Sequence, residues 1–143
     1  MANEVTEATV RRNSWKSIYN IINDNKVSGT TVYAGYPNKN PSFPAYALHP
    51  VSVSSSSASL GDIQDYDFSV EIELFCIAAK DRKEKIDEMK DNLQSTMLNN
   101  LTTLNSQNLG LAEDWFEDNE SDSLDINNEK FHYGLVTLYF RFN

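Results

Sequence analysis

Residues 66–104 constrain this chain more than any other stretch, because two different hydrophobic periods follow one another there. Phe68, Val70, Ile72, Leu74, Cys76 and Ala78 alternate with Asp67, Ser69, Glu71 and Glu73. A period of two puts apolar side chains on one side of a pleated strand, so the segment reads as a half-buried β-strand. From Lys80 onward, apolar residues recur at Ile86, Met89, Leu93, Met97, Leu101 and Leu104, the spacing of one helix face. The connecting turn (Ala79, Lys80, Asp81) has no glycine, so the unit reads as scaffold, a sheet strand and the helix that covers it.

The rest of the chain supplies partners for that unit. Residues 4–25 read as a first helix, with Val10, Trp15, Ile18, Tyr19 and Ile22 on its apolar stripe and Gly29 available for positive φ after its end. A short strand is expected over Thr30–Ala34. All four prolines fall within residues 37–50. Proline removes a backbone donor and biases its predecessor toward extended geometry, so Pro37–Phe43 reads as a loop. Ala45–Val53 reads as a strand in which Pro50 marks an edge or a bulge. Ser54–Asp62 reads as a serine-rich loop between two antiparallel strands. Leu109–Phe116 reads as a short strand, followed by an acidic loop and a closing strand over Phe131–Phe142. That last strand is apolar on both faces, Tyr133, Leu135 and Tyr139 on one and Val136, Leu138, Phe140 and Phe142 on the other. It must therefore be central in its sheet or covered by another subunit. The order α-β-β-β-α-β-β defines a single α+β domain over residues 1–143, with a mostly antiparallel central sheet flanked by two main helices on one side.

The net charge of −9 is local. Eight acids lie between Glu113 and Glu129, with no Lys or Arg among them, leaving thirteen acids against twelve bases elsewhere. That balance argues against a broad basic grip on nucleic acid. Counting from Asp118, acids occupy positions one, three, five and twelve of a calcium-loop pattern (Asp118, Glu120, Asp122, Glu129). The required glycine, however, is Ser123, and Asp125 stands where an aliphatic residue belongs. A solvated acidic loop is the better account. The one basic cluster, Lys80, Arg82, Lys83, Lys85 and Lys90, interleaves with Glu84, Asp87, Glu88 and Asp91 at helical spacings, which describes a salt-bridged outer face.

No catalytic template is present. His49 and His132 lie far apart without metal-ligand spacing and read as structural or surface histidines, and the glycines form no phosphate loop. Cys76, the single cysteine, reads as a small buried thiol. No cofactor, metal or enzymatic activity is expected. The charged N-terminus and the lack of a long apolar run point to a protein made in a reducing cytoplasm, without a membrane span.

One family shares this arrangement. The helix with Trp15 and Ile18, the Tyr36–Pro37 and Phe43–Pro44 turn with an extended strand behind it, the long strand entering a charged helix start, and the aromatic closing strand together resemble the tail-terminator or tail-completion proteins of long-tailed bacteriophages. The resemblance implies a small α+β subunit of the virion neck. Six copies would form a homo-oligomeric ring that caps the tail tube and joins it to the head connector. Tail-tube and head-connector proteins would be its partners, and DNA would pass through the lumen without sequence-specific binding. Phe43, Tyr46, Leu48, Val136, Leu138, Phe140 and Phe142 are then expected at subunit junctions. Glu117, Asp118, Glu120, Asp122 and Asp125 are expected on a loop lining the lumen or the outer surface. A head-side connector or head-closure protein, and a free-standing accessory binding domain, are the alternative readings.

Overall fold

The structure, a computed structural model, describes residues 7–35, 41–55, 66–106 and 109–142. Helix α1 (Glu7–Asn25) precedes strands β1 (Thr31–Ala34), β2 (Ala45–Ser55) and β3 (Tyr66–Ile77). Helices α2 (Glu84–Asn99) and α3 (Leu101–Ser106) follow, then β4 (Leu109–Ile126) and β5 (Glu129–Phe142). The fold is α+β, and the strands form one sheet in the order β1-β2-β3-β5-β4. Every pairing is antiparallel except β1 with β2, which is parallel. The outer strand β4 loses register between Leu111 and Phe116, and counting its two segments separately makes the sheet six-stranded.

The alternating strand behaves as its pattern requires. Phe68, Val70, Ile72, Leu74 and Cys76 are buried on one face of β3, where they meet Val136, Leu138 and Phe140 of β5. Ile18 and Ile22 of α1 and Ile86, Met89, Leu93 and Met97 of α2 close that core from above. Both main helices therefore cover the same sheet face, as expected. A polar link crosses the core roof. The buried Tyr46 hydroxyl donates to Asn92 Oδ1 at 3.0 Å, and Asn92 Nδ2 donates to the Asn25 carbonyl at 2.7 Å, joining β2, α2 and the end of α1. Burial raises the Tyr46 pKa, since a phenolate there would lose its hydration.

Pro50 sits beside a register shift between Pro50 and Ser52, the bulge its missing donor implies. Among the described residues, the pairing of β1 with β2 ends at Leu48. Gly29 adopts φ +83°, as expected of the turn after α1. Residues 1–6 and 36–40, and 56–62 of the serine-rich stretch expected to be a loop, lie outside the described residues.

Three expectations are corrected. The second helix is not continuous to Leu104: it ends at Asn99, and Asn100, at φ −115° and ψ 23°, separates it from α3. Leu101 consequently leaves the apolar face and is exposed, while Leu104 returns to the core. The acidic stretch is not a loop. Glu113 to Asp125 belong to β4, which pairs with β5 down to a tight hairpin whose two central residues, Asn127 and Asn128, have φ 51° and 64°. Two successive residues with positive φ define the turn that matches strand twist in two-residue hairpins, and asparagine tolerates them. Lys90 is not on a solvated outer face either: it is buried against β4.

Candidate functional surface

The sheet face opposite the helices carries the polar and aromatic side chains of the odd-numbered positions of β3 and β5 and of their register partners. In β3, Glu73 lies opposite Ala47 of β2 and Leu135 of β5. His49 and Tyr133 are the diagonal neighbours two residues on, close enough in a twisted sheet for long side chains to converge. They do converge: His49 Nε2 lies 2.7 Å from Glu73 Oε1, and the Tyr133 hydroxyl donates to Glu73 Oε2 at 2.8 Å. His49 is thus a structural histidine held by a carboxylate. Beside this network Phe43 packs edge-on against Phe131 at a centroid distance of 4.9 Å, and Phe75 lies 5.2 Å from the Tyr133 ring. Ala47, Phe75 and Phe131 form a second, small buried cluster on this face, with Phe43, Ile77, Leu124 and Tyr133 packed around it.

At the other end of the same face, β4 arches away from β5 at its register break and opens a cleft of about 780 Å³. Ser69, Tyr139 and Arg141 line it from β3 and β5, and Ala112, Glu113, Asp114, Phe116 and Glu117 line it from β4. Glu117 and Thr137 are opposite in register, and the Tyr139 hydroxyl reaches diagonally to donate to Glu117 Oε2 at 2.7 Å. That hydrogen bond to a carboxylate holds the Tyr139 pKa above the usual phenol value. Glu113, Asp114 and Glu117 are exposed along the rim. The cleft therefore presents negative charge over a partly aromatic floor, suited to a cationic group rather than to an anion or an apolar chain. His49, Glu73 and Tyr133 are not among its lining residues.

The expected site residues divide sharply. Tyr46, Leu48, Val136, Leu138 and Phe140 are buried in the chain's own core, so the helices explain their apolar character and the expectation that they mark a subunit junction is withdrawn. Phe43 lies half-buried on the opposite face, and the side chain of Phe142 is outside the described residues. Of the acids, Glu117 binds Tyr139, Asp118 pairs with Lys90 at 2.6 Å, and Asp125 is exposed near the hairpin tip. Glu120 and Asp122 lie on the extended strand, their side chains outside the described residues. Acids spread along a strand do not curl round one centre, and the described residues contain no group of three or more His, Cys, Asp or Glu placed to hold a metal ion. Cys76 is buried on the core face, and burial pushes its thiol up to about 11.

Sequence reasoning missed the His49–Glu73–Tyr133 network and the cleft. The first joins three strands and has no local signature. The second depends on the β4 break, for which the only hint is the paired aromatics Trp115 and Phe116 inside an acidic run. No protein-family model matches the chain, and a search of curated proteins finds no match.

Proposed function

We propose that the protein is a structural subunit of a long-tailed phage neck, forming a ring that terminates the tail tube and joins it to the head connector. The observation that carries this reading is the one-sided architecture. Both main helices cover one sheet face, while the described residues place no helix over the other and no further strand beside the 18-residue β4. A long outer strand offers a row of backbone donors and acceptors that a neighbouring copy can use, and its acids discourage indiscriminate pairing. Contacts between two different patches of identical subunits close into rings when the rotation permits.

The acidic strand fits a conduit for DNA. A duplex passing an acidic wall meets repulsion instead of the counterion-releasing grip of lysine and arginine, and so slides. In this reading Glu113, Asp114 and Glu117 act as electrostatic lining or as contact residues, and no covalent chemistry is asked of any side chain. Tail-tube protein and head connector are the partners, and the assembled virion is the site of action. Incubation with tail tubes of the encoding phage, viewed by electron microscopy, tests the reading: capped tube ends are expected, and persistently bare ends contradict it.

A further inference from the structure

We infer that the β4 cleft is the socket for the basic β3–α2 turn of a second copy of this chain, an inference that rests on the ring reading and supplies its contact. The socket is lined by the carboxylates of Glu113, Asp114 and Glu117 together with Ser69, Tyr139 and the single cation Arg141. Glu117 accepts the Tyr139 hydroxyl, and Glu113 and Asp114 are exposed beside it.

The complementary patch is on the same molecule but out of its own reach. Lys80, Arg82 and Lys83 are exposed on the turn after β3, and among the described residues no ion pair engages them. The other bases nearby are committed, Lys85 to Glu88 at 3.5 Å and Lys90 to Asp118 at 2.6 Å. Two acids, Asp81 and Glu84, lie among these bases. Asp81 is partly buried and acts on the Cys76 thiol, and Glu84 stands in the first turn of α2, where a carboxylate complements the helix dipole. The socket lies beside Ser69 and the turn follows Ile77, so the eight intervening steps of β3 separate them by about 27 Å. Opposite charges at opposite ends of one strand cannot neutralise each other within the chain. Two copies placed end to end bring them together, and the contact is heterologous, each subunit giving a turn and receiving one. Complementary patches of this kind set partner orientation and register.

Charge exchange tests the contact. One variant carries Glu113→Lys and Asp114→Lys; a second carries Lys80→Glu, Arg82→Glu and Lys83→Glu. All five side chains are exposed, and a melting curve matching wild type qualifies each variant. Should a reversed socket fail to fold, Glu113→Gln with Asp114→Asn replaces it. By size-exclusion chromatography with light scattering, each variant alone is expected to lose self-association about tenfold or more, since like charges then face each other at the junction. An equimolar mixture of the two reversed variants is expected to restore it, because the reversed socket of one accepts the reversed turn of the other. With the neutral socket, partial weakening is the expected result. Wild-type association in either variant, or a mixture that stays dissociated, overturns the socket while leaving the ring standing. A wild-type protein that is monomeric alone and with tail tubes overturns both.

Discussion

Lys90 Nζ of helix α2 lies 2.6 Å from Asp118 Oδ1 on the outermost strand, and also reaches the Asn119 carbonyl at 3.4 Å. The contact ties the helix layer to the far edge of the sheet. The Lys90 side chain is 9% exposed and that of Asp118 is 50% exposed, so solvent screens one end of the pair. A pair of this kind contributes up to about 1 kcal/mol. Lys90→Met keeps the buried stem and removes the charge. A double-mutant cycle with Asp118→Asn, followed by urea denaturation, is expected to give a coupling of about 0.5–1 kcal/mol that shrinks in high salt. Zero coupling at low salt would show that the two are mere neighbours.

The same pair explains what the sequence reveals and what it conceals. Periodicity identifies β3 and the first part of α2 because their apolar faces meet one uninterrupted core, where burial and pattern are the same thing. It misplaces Lys90, although Lys90 stands four residues after Ile86 and three before Leu93, on the buried stripe itself. A long aliphatic stem can lie on an apolar face while its ammonium finds a partner, so the type of residue misleads where its position does not. The acidic run conceals β4 for a related reason. An outer strand needs little burial, and charges protect its edge, so it has the composition of a loop. The Asn127–Asn128 pair is the legible sign of the hairpin. The His49–Glu73–Tyr133 network depends on register across three strands and is not written in any local spacing.

Phe140 separates core from junction. Its ring is buried and lies 6.5 Å from that of Phe68. Phe140→Ala is expected to lower unfolding stability by about 3–5 kcal/mol through the cavity it leaves. Phe140→Asp, with an unpaired charge in the same place, should prevent folding. Circular dichroism during urea titration reads both. A folded, dissociated Phe140→Asp monomer would return the residue to a subunit junction.

The hairpin tip makes a local prediction. Asn127 and Asn128 hold φ 51° and 64°. Asn128→Gly should leave the midpoint of unfolding unchanged or raise it slightly, whereas Asn128→Val should cost about 1–2 kcal/mol because a β-branched side chain is strained at positive φ. Equal melting temperatures for the two variants would contradict that turn geometry.

Cys76 gives a prediction with a definite sign. Burial raises its pKa from 9.0 to about 11, so the folded protein keeps the thiol protonated where the unfolded chain has begun to lose its proton. Above pH 9 the unfolded state then binds fewer protons, and stability falls as pH rises toward 11. Burial acts on Tyr46 in the same direction. Denaturation midpoints between pH 8 and 11 should decline accordingly. Near pH 8, Cys76 should react with an aromatic disulfide reagent only as fast as the protein opens. Rapid stoichiometric labelling of the native protein would contradict its burial.

We propose that identical copies of this chain close into a ring. Light scattering on the purified protein, alone and with tail tubes, measures it most directly. A particle of about six times the 16.2 kDa chain mass, ring-shaped in electron micrographs, is the predicted result. A species that stays at 16.2 kDa across the concentration range, and leaves tail tubes bare, would contradict it.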